Sequence, residues 1–109
     1  MPGPKNFAAF WPEYLGAHAA PATRALHFIG SGLAVACLAL FLATLDWRFL
    51  VATPIVGYAF AFAAHFTIEH NNPKTFEHPL WSLIADYRML GLWIMGRLQL
   101  ERSRAGKAI

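Results

Sequence analysis

Two long apolar runs dominate the pattern of this chain, residues 28–45 and 49–68, with only Asp46, Trp47 and Arg48 between them. A transmembrane helix needs about 20 mainly apolar residues to cross a hydrocarbon core about 30 Å thick. Both runs meet that need, and the short turn forces an antiparallel return. The first helix is expected over residues 23–45. His27 just ahead of the first run and His65 near the end of the second then return to one membrane face. Gly30, Ser31, Gly32, Ala34 and Ala36 give the first helix a thin side for close packing. Pro54 and Gly57 fall in early turns of the second, where neighbouring protein makes a kink tolerable. Upstream, Phe7, Phe10, Trp11, Tyr14 and Leu15 recur at spacings of three and four, one face of an amphipathic helix over residues 7–18. Pro12 either bends that helix or places its first turn. Its Trp and Tyr predict a helix lying at headgroup depth, with Tyr14 as an interfacial anchor and Tyr58 as a packing residue. Thr23 is the expected cap of the next helix.

Residues 70–79 are polar, hold two prolines and read as a loop. A third hydrophobic segment, residues 80–100, contains Asp86, Arg88 and Arg97. A charge at mid-bilayer costs about 2.5–3.5 kcal/mol, and residues two apart do not share a helical face. This segment is therefore read as interfacial or partly inserted; a full span requires Asp86 and Arg88 to face protein. The fold class is all-α: a small integral membrane protein with an antiparallel transmembrane hairpin, an N-terminal amphipathic helix and a third hydrophobic helix, interfacial or spanning. One domain, 1–109, is expected, with a core of about 7–100 and a basic tail, 101–109.

Composition supports insertion. The chain is 57% hydrophobic and only 14% charged, against about a quarter charged in soluble domains. Too few polar groups remain to cover a soluble bundle around two such helices. The net charge of +3 does not indicate nucleic acid, because the basic residues flank apolar runs instead of forming an aromatic-interleaved surface. In a two-span hairpin, Lys5, Arg24, Lys74, Arg88, Arg97, Arg102, Arg104 and Lys107 share one side, and only Arg48 lies opposite. That asymmetry puts the termini and the histidines in the cytoplasm, where the basic tail also suits anionic headgroups. Cys37, the single cysteine, reads as a small buried hydrophobe. Pro12 and Glu13 spoil any signal-peptide reading of the amino terminus, so the first run serves as an uncleaved insertion signal.

His65 and Glu69 are i and i+4, on one helical face. With His18 at the end of the amphipathic helix and His27 at the start of the next, they form a candidate metal or catalytic group at the hairpin mouth. Imidazole with carboxylate suits Fe(II), Zn(II) and related divalent metals. Two histidines and one carboxylate indicate non-haem iron, and a closed or hydrolytic site indicates zinc. The plainer alternative is a hydrogen-bonded His65–Glu69 pair. His78, before Pro79, is a ligand, a substrate contact or a helix-start cap, whereas His70 points away from the His65 face. Asn71 and Asn72 shape the loop, and either amide can support the site. Asp86 reads as an acceptor for a histidine or a partner for Arg88. Arg24 and Arg88 are candidates to attract the carboxylate of an amphiphilic acid, although topology and headgroup contacts also account for both.

The strings F-x-x-F-W-P-E-Y-L-x-x-H from Phe7, R-x-x-H-F-I-G from Arg24, Y-x-F-A-x-x-x-H-F-x-I-E-H-N-N-P-x-T-F from Tyr58 and HPLWSLIADYRML from His78 closely resemble the Mpo1-like family. The resemblance extends over roughly residues 7–96. It implies an Fe(II)-dependent dioxygenase of fatty-acid α-oxidation, acting on 2-hydroxy fatty acids and removing one carbon with dioxygen as co-substrate. It puts His18, His27, His65 and Glu69 in the family's polar blocks, and Asn72, His78 and Asp86 in neighbouring ones. Fungal members of this family sit in the endoplasmic reticulum; a small prokaryotic-looking member is expected in the plasma membrane. Its partners are then membrane lipid and the amphiphilic substrate, with oligomerisation left open. The alternatives are a non-catalytic lipid-binding or assembly protein and a zinc-dependent lipid hydrolase.

Overall fold

Five α-helices carry the chain: α1 (Phe7–Gly16), α2 (Pro21–Thr44), α3 (Trp47–Ala64), α4 (Pro79–Ile94) and α5 (Leu98–Ala108). A π-helical turn, His65–Glu69, extends α3, and a 3-10 turn, Lys74–Phe76, precedes α4. This computed structural model describes residues 3–108, the last two as backbone only, so the Lys107 side chain lies outside it. No strand occurs among the described residues.

The expected hairpin is α2 and α3, packed along each other. Leu45 adopts a left-handed conformation (φ 58°) that ends α2. Asp46 then starts α3 by accepting a hydrogen bond from the Arg48 backbone N–H at 3.1 Å, and it pairs with the Arg48 guanidinium at 2.7 Å. Pro21–Thr44 and Trp47–Glu69 are long and apolar enough to cross a membrane. Only 22% and 17% of their apolar windows are buried by protein, whereas a soluble core helix would be mostly buried. Leu33, Leu38, Leu42, Leu50, Val51 and Ile55 face outward, as lipid-facing residues do. Between the helices the thin side works as expected: a Cβ on Gly30 would lie 2.9 Å from the Phe60 Cβ. Pro54 lies within α3, which continues through it to Ala64.

The third segment divides. α4 has 16 residues, about 24 Å at 1.5 Å per residue, too short for the hydrocarbon core. Gly96, at φ 74°, then turns the chain in a conformation that favours glycine. The expected tail is also structured, because α5 runs to Ala108 and buries Leu98 and Ala105. These join Phe10, Trp11, Tyr14 and Leu15 of α1 with Ala85 and Met89 of α4 in one core cluster.

That cluster corrects the reading of α1. Its aromatic face does not rest among headgroups, and Tyr14, 1% exposed, is not an interfacial anchor. α4 and α5 cover that face, and burying each large side chain is worth about 1.5–3 kcal/mol. Arg88 closes the arrangement from outside. Its guanidinium stacks over Trp11 at 4.6 Å and pairs with Glu101 of α5 at 3.2 Å. Pro12 lies inside α1, whose start is set by Asn6 accepting from the Ala9 N–H at 2.9 Å.

Candidate metal centre

Three imidazoles meet at the mouth of the hairpin. His18 follows α1, His27 sits in the second turn of α2, and His65 opens the π turn. All three are buried. Their Nε2 atoms form a near-equilateral triangle, with His18–His27 at 3.1 Å, His27–His65 at 3.3 Å and His65–His18 at 3.0 Å.

The opposite ring nitrogens decide what this triangle is. His18 Nδ1 lies 2.6 Å from the Tyr14 carbonyl, which only accepts, so Nδ1 carries the proton. His65 Nδ1 lies 2.7 Å from the Asn71 side-chain oxygen. The Asn71 amide nitrogen donates to the Ala17 carbonyl at 3.2 Å, which fixes the amide's orientation and makes His65 Nδ1 a donor too. Two neutral imidazoles therefore present bare lone pairs to each other at 3.0 Å, and no proton joins them. His27 Nδ1 lies 3.6 Å from an Asp86 carboxylate oxygen, which also accepts from the Tyr14 hydroxyl. Converging lone pairs repel unless a cation lies between them, and the spacings suit adjacent ligands of one ion at about 2.0–2.1 Å. The hydrogen-bonded acceptors behind His18 and His65 are the support that metal-binding histidines receive, and Asp86 stands 3.6 Å behind His27. The triad can hold a metal ion.

The site is electrostatically prepared for this. Burial, then the nearby His27, hold the His18 imidazole well below its ordinary pKa, so it stays neutral. Burial, then the Asp86 carboxylate, push the Tyr14 phenol well above its usual range and keep its proton in place.

A family model described as 2-hydroxy-palmitic acid dioxygenase Mpo1-like matches residues 4–98. The chain belongs to the Mpo1-like family. Comparison with curated proteins and with solved structures gives no significant match. The Mpo1-like match spans α1 to α4 and all three histidines, and it ends at the first residue of α5.

Of the residues that the sequence proposed, the Mpo1-like fold brings His18, His27 and His65 together and leaves Glu69 out of the cluster. The Glu69 carboxylate instead accepts from the Ala20 N–H at 2.8 Å and the Thr23 hydroxyl at 2.5 Å. It thus caps the α2 amino terminus, where negative charge is favoured, and Thr23 donates to it instead of capping. The π turn matters here, because an i→i+5 turn departs from the α-helical offset behind the i, i+4 pairing. Asp86 is a supporting acceptor and not a partner of Arg88, which is held by Glu101 and Trp11. Arg24 donates to the carbonyls of His18 and Ala19, both at 2.8 Å, and so secures the loop carrying His18. Asn72 is exposed; its neighbour Asn71 holds His65. His78 stacks on Trp81 at 4.5 Å and precedes α4, away from the triad. His70 is exposed, in the left-handed conformation (φ 56°) that ends the π turn.

Sequence reasoning missed part of the wall. A cavity of about 10 Å³ at the triad is also lined by Lys74, Thr75 and Ser82. Ser82 Oγ is buried with no hydrogen-bond partner among the described residues. One signal was available, since Ser82 stands four residues before Asp86 and shares its helical face. Lys74 had none, because only the 3-10 turn brings it to the cavity.

Proposed function

We propose that this protein is a ferrous-iron dioxygenase that removes one carbon from 2-hydroxy fatty acids at the cytoplasmic face of a bacterial plasma membrane. The observation that carries this reading is the triad: three buried Nε2 atoms converge, with hydrogen-bonded acceptors behind His18 and His65 and the Asp86 carboxylate 3.6 Å behind His27. When bound, ferrous iron supplies electrons and open coordination positions for activating dioxygen.

The chain's own residues do the rest. Tyr14, Asn71 and Asp86 aim the imidazoles, and Tyr14 keeps its proton on the phenol beside Asp86. Burial of the triad excludes bulk water from the reaction. Lys74, whose ammonium lies 3.7 Å from the Glu77 carboxylate, lines the cavity wall, and Ser82 offers a free hydroxyl there. In balance, RCH(OH)COOH and O₂ give RCOOH, CO₂ and H₂O, so the product is a fatty acid one carbon shorter. The basic residues gathered at the triad end support the cytoplasmic orientation.

The test is purified protein with Fe(II) and 2-hydroxypalmitate, with and without oxygen, read by mass spectrometry. The shortened acid is expected only in oxygen and not from His65→Ala. Lipid cleavage without oxygen in a zinc-loaded protein favours a hydrolase. No metal in any gentle detergent extract favours a non-catalytic lipid-binding or assembly role.

A further inference from the structure

Beside the triad runs a second, larger space of about 230 Å³, between α2, α3 and α4. It touches the triad cavity through His27, Ala61 and Asp86, which line both. From there it descends towards the hairpin turn, along α2 as far as Ala34 and along α3 as far as Thr53. The eight steps along α3 from Ala61 to Thr53 cover about 12 Å, most of one leaflet of about 15 Å.

Its polarity is graded. The triad end carries His27, Ser31 and Asp86, the deep end is Ala34, Pro54 and Gly57, and Tyr58, Leu83 and Tyr87 also line the space. Thr53 adds no polarity there, because its hydroxyl donates to the Phe49 carbonyl of its own helix at 2.9 Å. α4 packs on α1 and α2 and stands off from α3 across the groove. Along this gap Pro54, Leu83 and Tyr87 are exposed, and exposure on this part of the molecule means lipid.

We infer that this groove binds the acyl chain of an amphiphilic acid, taken sideways from the leaflet between α3 and α4. Its polar head stops at His27 and Asp86, and Gly57 keeps the groove wide enough for the chain. The inference rests on the proposed dioxygenase reading for the identity of the head group. Continuity with the triad, the polar-to-apolar gradient and the lateral opening fix the occupant as a single chain entering head towards the histidines. A Cβ at Gly57 would lie 3.7 Å from the Ala34 Cβ, an ordinary contact, so Gly57→Ala fits and a larger side chain fills the groove.

Two readouts test this in detergent-purified, iron-loaded protein. The first is photolabelling with a 2-hydroxy acid carrying a diazirine at mid-chain. Label is expected on the α3 and α4 walls, competed by 2-hydroxypalmitate and lost in Gly57→Leu. The second is turnover. Gly57→Leu, and Leu83→Trp at the exposed mouth, should lower kcat/KM for 2-hydroxypalmitate by roughly tenfold or more, while 2-hydroxybutanoate changes less than about twofold. Unchanged iron content reports that the triad end has folded. Uncompeted label spread over the outward residues of α2, or both filled variants turning over the long acid like the parent, overturns the groove. Competed groove labelling in a protein that turns over no 2-hydroxy acid supports the groove and removes the dioxygenase reading.

Discussion

At the turn end of the hairpin, Leu40, Leu42, Leu45 and Trp47 are exposed, and polarity is limited to Thr44, Asp46 and Arg48. At the other end, His18, Thr23, Arg24, His27, His65 and Ser82 are buried. Both ends belong to the same two helices, yet only one has α1, α4 and α5 packed around it. Buried polar groups are costly unless paired, and these secondary helices supply the partners: the Tyr14 carbonyl, Asp86 and, from the loop, Asn71. The small helices therefore do for the triad end what lipid does for the turn end. They convert an exposed hairpin mouth into an interior in which the His18 imidazole stays neutral and aimed.

The sharpest way to break this contrast is at the triad itself. His65→Ala should weaken metal binding by more than about 100-fold, since losing even a supporting partner costs about 10–100-fold; metal analysis of folded protein decides it. Asn71→Ala tests the support, with an expected loss of about 10–100-fold in affinity and an unchanged helical spectrum. Acidification comes next. The His18 pKa is lowered by burial, so below about 6.5 the unfolded chain binds more protons than the folded one. Stability from that group is present above this pH and lost as pH falls through the folded value, so melting of metal-free protein should decline with acid.

Glu69→Ala removes a cap, worth about 0.5–2 kcal/mol, and should leave metal content intact. Loss of metal from a folded Glu69→Ala protein would return the carboxylate to the ligand set. Leu42→Ala, at the lipid-facing turn end, should change stability by no more than about 0.5 kcal/mol in detergent, with metal binding untouched.

Periodicity and run length were enough to read the hairpin, the α1 stripe and the return of His27 and His65 to one end. The thin side of α2 was legible too, because Gly30 leaves no room for a Cβ. The site was harder. His65–Glu69 spacing suggested a ligand pair, but the π turn and the open α2 amino terminus drew the carboxylate elsewhere. Asn71 and Asn72 could not be separated by sequence, because a one-residue difference in a loop follows no helical period. Nor could α1 be placed, since an aromatic stripe suits headgroups and a protein core equally well.

What the sequence determined by itself is therefore the membrane-length hairpin and the three histidines at its mouth, because hydrophobic length and helical period are local properties of the chain. Tertiary structure alone decided that three imidazoles meet without the Glu69 carboxylate, that α5 belongs to the core, and that a groove runs beside the triad between α2, α3 and α4. Those outcomes depend on which surfaces cover one another, and packing between residues distant in sequence leaves no periodic trace.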